Sequence, residues 1–349
     1  MPKLDKIIDS IGVLKEYIDN IENNDLIDKL LLKAQLNNPW FSVSNSRYQL
    51  ASVANEYLDT TKLIEFLGKY KYSENAQVVG IIAAGNLPLV CLHDVLCVLL
   101  SGHQPMVKLS SQDMVLTSFF IDFINNELGE NWILKADRLR SDIAVIATGS
   151  NASMSIFKKY FNKMPALIRG SRTSLAVMTG YETESELALL CDDMFIHFGL
   201  GCRNITYLIV PNNYDFLALL QSAESKYSAM FQHTKYMNNY DYRKTIMLLN
   251  SEQHYCTDFV LLQQSEQLFS PISCLHYQMG NSDDAVKKFI YSHQHELQCV
   301  VGLNTSLMLE EYKIEFNEIS FVAFGSTQRP SIGDFADGVN TMQFLDLIK

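Results

Sequence analysis

Apolar residues recur at helical spacing over the first part of the chain. Ile7, Ile8, Ile11, Leu14 and Ile18 share one face, and residues 1 to about 70 are predicted to be helical and amphipathic. From Val78 the pattern changes. Val78–Ala84 is a short apolar run predicted as a buried strand, and GNLPL then opens a predicted helix with Pro88 in its first turn. That helix is expected to run to Leu100 and stop at Gly102, with Pro105–Leu109 as the next strand. A strand, a helix and a second strand in this order form the connection that builds parallel sheets. In SSQD, Ser110 and Asp113 have a spacing like that of a capping box at the start of a second helix. A third strand is predicted at Ile143–Ala147, running through TGSN into another helix.

The alternation then repeats. Leu175–Thr179 reads as a strand, 183–198 as a helix and Asn204–Val210 as a strand after a glycine-flanked turn. A tyrosine-rich helical stretch (213–245) precedes Val260–Leu262, Ile272–Tyr277, a helix near 283–296 and Cys299–Leu303. The expected fold class is therefore α/β, two parallel-type domains with a helical N-terminal segment. The expected divisions are a helical segment 1–75 packing on an α/β domain 76–165, a second α/β domain 166–315, and a C-terminal segment 316–349.

Composition narrows the function classes. The chain has 349 residues, 48% hydrophobic and 19% charged, enough for two separate cores. Its formal net charge of −11, with no basic cluster to reverse it, argues against nucleic acid as a partner. Seven scattered cysteines, with no C-x-x-C pair, argue against a disulfide framework or a structural zinc site and for a reducing cytoplasm. The N-terminus lacks the apolar core of a signal peptide. The long apolar region 78–100 is interrupted by Asn86, Pro88, His93 and Asp94, so a buried strand and helix are expected there rather than a membrane span.

Open parallel sheets bind ligands at the carboxyl ends of their strands. In the first α/β domain those ends are AAGN, VKLSS and ATGSN, which single out Lys108 and the Gly149-Ser150 pair before a helix. The G-x-G-x-x-G dinucleotide fingerprint is missing there. The one G-x-G, Gly199 to Gly201, follows a helix and precedes a strand, the reverse of the dinucleotide context. Cys202, directly after it, is by position alone either a nucleophile or one more small buried residue. His197 nearby, flanked by Phe195 and Phe198, reads as a packing residue, and His93-Asp94 as a satisfied buried polar pair. The doublets Asp192-Asp193 and Asp283-Asp284 read as helix-surface charge.

The order of these segments is more informative than any one of them. IAAGNLPL, MVKLSSQD, IATGSNASM and then a glycine-flanked cysteine before a strand resembles the aldehyde dehydrogenase superfamily. Within it the chain resembles the LuxC-like long-chain acyl-CoA reductases of bacterial luminescence, also in NPWF at 38–41 and in FGSTQRPSIGDFADGVNTMQFL near the C-terminus. The resemblance covers the chain from about residue 38 onward. It implies an aldehyde dehydrogenase-like fold whose first α/β domain binds the nicotinamide cofactor. It implies Cys202 as the nucleophile and Asn86 as the side-chain donor to the oxyanion, with the Cys202 N–H as second donor. It also implies Lys108 at the adenosine ribose, Gly149 with Ser150 at the phosphate-side turn, and a homo-oligomer, with the segment after 320 as its contact.

Three departures from the family pattern qualify this. The family's LELGGK segment matches LIRGSR, with Ile168 in place of the glutamate that activates water, 34 residues ahead of Cys202. An isoleucine takes no proton, which disfavours thioester hydrolysis and suits acyl exchange with a thiol. Ser111 stands where NAD-preferring members often carry a glutamate, so NADPH is the expected cofactor and NADH the alternative. Gln267 replaces the ribose-binding glutamate of the EIFGP segment. The expected activity is reduction of a fatty acyl-CoA, or of an acyl group on a protein, to the aldehyde through an S-acyl cysteine, without a metal. The alternatives are the oxidative, CoA-acylating direction, an acyltransferase or thioesterase using Cys202 alone, and an acyl-CoA-binding chain without turnover.

Overall fold

The computed structural model describes residues 2–303 and 306–348. The chain forms two compact units, one of Met1–Ser171 with Pro330–Lys349 and one of Arg172–Arg329.

Unit 1 begins with four helices, α1 (Leu4–Asp19), α2 (Asn24–Asn37), α3 (Val43–Glu56) and α4 (Thr60–Leu67). On α1 the apolar stripe Ile7, Ile11 and Leu14 is fully buried. Each such side chain stabilises the fold by about 1.5–3 kcal/mol relative to exposure. An α/β region follows with β1 (Val78–Ile82), α5 (Leu92–Leu100), β2 (Gln104–Lys108), α6 (Met114–Leu128), β3 (Leu134–Lys135), β4 (Ala144–Thr148), α7 (Asn151–Tyr160) and β5 (Ala166–Arg169). The sheet order is β3-β2-β1-β4-β5 and every pairing in it is parallel. The chain reverses direction across the sheet between β1 and β4. A parallel sheet opens its ligand crevice at such a point.

All nine residues of α5 are buried, which accounts for its being apolar on every side. Its two polar residues each find a separate partner. His93 Nε2 lies 2.9 Å from the Ile332 carbonyl oxygen, and the Asp94 carboxylate accepts from Arg169 Nη1 at 2.7 Å. Arg169 Nη2 also donates to Thr341 Oγ1 at 2.7 Å, and His103 Nε2 lies 3.2 Å from the Leu345 carbonyl oxygen. These contacts fasten the segment from Pro330, with its short helix Thr341–Asp346, into unit 1. Residues 316–329 belong to unit 2. Likewise β5 pairs with β4, so the segment 166–171 sits with the first sheet rather than the second.

Two local expectations fail for one reason. The helix predicted from GNLPL begins only at Leu92, because Leu89 adopts a left-handed conformation with φ +55°. The Ser110–Asp113 capping box does not form. The Asp113 carboxylate makes no capping bond to α6 and accepts the Leu89 N–H and Thr117 Oγ1, each at 2.8 Å.

Unit 2 comprises β6 (Thr173–Val177), α8 (Glu184–Phe195), β7 (Ile205–Val210), α9 (Leu217–Tyr227), α10 (Thr234–Leu249), β8 (Tyr255–Cys256), β9 (Leu261–Gln264), β10 (Cys274–Met279), α11 (Asp283–His293), β11 (Leu297–Val301), α12 (Ser306–Glu315) and β12 (Ser320–Phe321). Its sheet order is β12-β11-β6-β7-β10-β9-β8, parallel except for the β8–β9 pair. Among the described residues no helix is long and apolar enough to cross a membrane.

Candidate active site

In unit 1 the parallel register places the predicted cofactor residues on one edge. Ile82 pairs with Lys108 on one side and Ala147 on the other, so the chain leaves β2, β1 and β4 at a common level. Lys108 ends β2, Asn86 lies in the loop after β1, and Gly149-Ser150 connects β4 to α7. Lys108, Ser111, Asn86 and Ser150 are exposed there, and Gly149 is half-buried. Ser150 caps α7 by accepting from the Ser153 N–H at 3.3 Å. Gly149 has little room for a side chain, since a Cβ would lie 3.1 Å from Ser153 Cβ and 3.2 Å from the Phe157 ring. Ser111 is anchored through its carbonyl, which accepts from Asn37 Nδ2 at 3.1 Å. Ile168 packs with Ala147 and Phe161 in a small apolar cluster.

In unit 2, Cys202 sits in the turn between α8 and β7, at the amino-terminal edge of the sheet. The helix expected over 183–198 ends at Phe195. It is broken by three successive left-handed residues, His197 (φ +58°), Phe198 (φ +59°) and Gly199 (φ +72°). Non-glycine residues pay for that conformation, so something must hold it. The fully buried Asn204 does. Its Nδ2 donates to the carbonyls of Asp193 (2.9 Å), Met194 (3.3 Å) and Ile196 (2.8 Å), tying off the end of α8. Its Oδ1 accepts the Gly201 N–H at 2.8 Å, and its own N–H donates to the Gly201 carbonyl. The Cys202 carbonyl in turn accepts from Ser174 Oγ at 2.8 Å, and that hydroxyl also accepts the Cys299 N–H. The peptides on either side of Cys202 are thus fixed, the one before it by the Asn204 N–H and the one after it by the Ser174 hydroxyl.

The cysteines divide by environment. Among the described residues no cysteine forms a disulfide, and only Cys202 and Cys256 are exposed. Burial pushes the Cys91 and Cys274 thiols up to about 12 and Cys191 up to about 11, so these stay protonated at neutral pH. A protonated thiol is a poor nucleophile. Cys256 lies on the short antiparallel edge strand β8. His197 is buried, and burial pushes it down to about 4, so it is neutral at physiological pH. Asp193 is not a surface charge. Its buried carboxylate accepts from the Gly325 N–H, the Thr327 N–H and Thr327 Oγ1, binding the FGSTQRP segment to α8. Burial raises it to about 6. A small cleft of about 50 Å³ with mixed polar and apolar lining opens beside the left-handed corner, lined by Phe198, Gly199, Thr206, Tyr236, Ile272 and Cys274 among others.

Asn204 and Ser174 are absent from the residues singled out in the sequence. For Asn204 a signal exists, since an asparagine between a glycine turn and a strand is a turn former by its side chain. Asn204→Ala leaves one N–H and three carbonyls without their side-chain partner. We expect it to lower the unfolding free energy by about 2–4 kcal/mol in urea titrations. A loss below about 1 kcal/mol would mean that the corner holds itself, since that is the size of a single hydrogen bond.

No protein-family model matches the chain, and no curated protein matches it by sequence. Solved structures do match its fold. A protein of Burkholderia cenocepacia described as an aldehyde dehydrogenase superposes with a TM-score of 0.70 at 10% identity, covering 99% of this chain and 85% of its own. An engineered glycolyl-CoA reductase with bound NADP+ gives 0.67 at 11% identity, over 98% and 90%. The propionaldehyde dehydrogenase of Rhodopseudomonas palustris, with bound CoA and an acylated cysteine, gives 0.64 at 11% identity, over 93% and 84%. The chain has the aldehyde dehydrogenase-like fold.

Proposed function

We propose that this chain is an oxidoreductase that reduces an acyl thioester, fatty acyl-CoA or an acylated protein, to the aldehyde through S-acyl Cys202. The observation that carries this reading is the Cys202 turn. It is an exposed thiol on a corner fixed by buried hydrogen bonds, in a fold that also houses a CoA-bound enzyme acylated on cysteine. The LuxC-like resemblance adds the preference for a long acyl chain.

Unit 1 suits a nicotinamide dinucleotide. Lys108 and Ser111 would meet the adenosine ribose, with NADPH ahead of NADH because no carboxylate stands at 111. Gly149 and Ser150 would meet the pyrophosphate, at a helix start where a Cβ on Gly149 would crowd Ser153 and Phe157. When bound, the cofactor supplies the hydride that takes the thioester carbonyl to the aldehyde level. The Cys202 thiolate attacks the acyl carbonyl carbon, its sulfur bonds to that carbon, and CoA leaves as the thiolate. By the family resemblance, Asn86 and the Cys202 N–H would donate to the oxyanion. Donors of this kind are worth about 3–4 kcal/mol each at a tetrahedral intermediate. After reduction the C–S bond breaks, the aldehyde departs and the thiolate is restored. Ile168, packed among apolar side chains, offers no base for water, so the acyl-enzyme survives long enough to be reduced.

The reading is tested by following NADPH absorbance with acyl-CoA substrates from acetyl to hexadecanoyl, with chromatography of the product. Aldehyde in step with NADPH consumed is expected, fastest with long chains. NADPH binding without oxidation by any acyl-CoA or acyl-protein would favour the non-catalytic alternative, and free acid without NADPH use would favour a thioesterase.

A further inference from the structure

We propose that Asp113 is a positioning residue for Asn86, holding the loop that presents it by pinning Leu89 in a left-handed conformation. This deepens the reading of Asn86 as an oxyanion donor and rests on it. Asp113 is only 2% exposed, and burying a carboxylate is costly unless its bonds repay it. It stands at the N-cap position of α6 but makes no capping bond to that helix. Its Oδ2 instead accepts from the Leu89 N–H and from Thr117 Oγ1, each at 2.8 Å. Among the described residues Oδ1 meets no hydrogen-bond donor, and burial raises the carboxyl to about 7. A residue that served only to start α6 would face the helix amides, where aspartate caps as well as serine or asparagine, and Asp113 makes no such bond.

What Asp113 holds is the loop after β1. Leu89 is buried with φ +55°, a conformation that a leucine adopts only when its surroundings impose it. Asn86 lies three residues earlier, exposed, with Pro88 stiffening the connection. The other end of the loop is clamped by contact. A Cβ on Gly85 would lie 2.1 Å from Ser110 Oγ and 2.6 Å from Ser110 Cβ, so the Gly85 backbone rests directly on the segment that leads to Asp113. The Asn86 loop is therefore seated on 110–113 at both ends, by close packing at Gly85 and by a carboxylate at Leu89.

The test uses the full chain with two readouts. In amide hydrogen exchange followed by mass spectrometry, Asp113→Ala is expected to speed exchange of peptides spanning 83–91 by about tenfold or more, while β1 and β2 keep their protection. Unchanged exchange in that loop would overturn the proposal, whether or not the chain is a reductase. In the NADPH assay with dodecanoyl-CoA, Asp113→Ala should lower kcat about 10–100-fold with KM within about threefold, a loss no larger than that expected for one missing oxyanion donor. Asp113→Asn keeps an acceptor for Leu89 and should recover most of kcat. The double variant Asn86→Ala/Asp113→Ala should be no slower than Asn86→Ala alone, because one residue acts through the other. Losses that multiply would show Asp113 acting independently of Asn86 and contradict the assignment. No NADPH oxidation by the wild-type chain would remove the proposed reaction, leaving the exchange result to decide the role of Asp113 in the loop.

Discussion

Cys202→Ala is expected to abolish aldehyde formation, a fall of about 10³-fold or more, as for loss of other covalent nucleophiles. The reason is chemical. Without the sulfur there is no acyl-enzyme, and the free thioester reaches the reductant neither held nor activated. The residues proposed to hold the cofactor all lie in unit 1, so the NADPH dissociation constant of this variant, read by fluorescence, should stay within about twofold of wild type. Cys256→Ala provides the matched control, since Cys256 is the other exposed cysteine and lies on an edge strand. Its activity should be that of wild type. Retained turnover in Cys202→Ala, or loss in Cys256→Ala, would move the nucleophile elsewhere.

The largest expected effect on stability comes from Asp94→Ala. The Asp94 carboxylate receives Arg169 Nη1 at 2.7 and 2.8 Å, and the two side chains are 9% and 3% exposed. Burial works against the Arg169 charge, yet Asp94 overrides it and holds the guanidinium above its ordinary pKa. Removing the carboxylate leaves a buried cation with the Thr341 hydroxyl as a hydrogen-bond partner and the charge of Asp337 nearby. Breaking such a pair from one side typically costs about 3–5 kcal/mol. The same bond network ties β5 and α5 to the segment from Pro330, so the loss should appear as a lower urea midpoint for unit 1. The double variant Asp94→Leu/Arg169→Met removes both charges and should recover much of the difference, because an apolar pair avoids the desolvation penalty. An Asp94→Ala loss under about 1 kcal/mol, the range of exposed pairs, would contradict a buried, essential pair.

What the sequence makes legible follows from whether its signal is local. β1, β2 and β4 lie where continuous apolar runs place them, because both faces of a parallel sheet are buried. β5 escapes notice since it is four residues long and ends in an arginine that looks solvent-facing. Its partner, Asp94, is 75 residues away. The glycine-flanked Cys202 turn is visible, but the break before it is not. His197 and Phe198 are left-handed just after the end of α8, where Asn204 gathers three carbonyls, a tertiary arrangement that periodicity does not record. Asp113 is misread for the same reason, as its spacing from Ser110 is that of a local cap while its carboxylate serves Leu89, 24 residues earlier. Asp193 reads as surface charge and is buried holding the 325–327 segment. For the candidate site, the order of motifs along the chain brought out the residue types, and long-range hydrogen bonds supplied the positioning residues.

The central claim is that Cys202 carries an acyl group that is reduced rather than hydrolysed. Intact-protein mass spectrometry after brief mixing with dodecanoyl-CoA tests it most directly. The account predicts a single added dodecanoyl group, mapped to the peptide containing Cys202, that persists in buffer and is discharged as dodecanal when NADPH is added. An unmodified Cys202, or an acyl group released as dodecanoic acid at the same rate with and without NADPH, would contradict it.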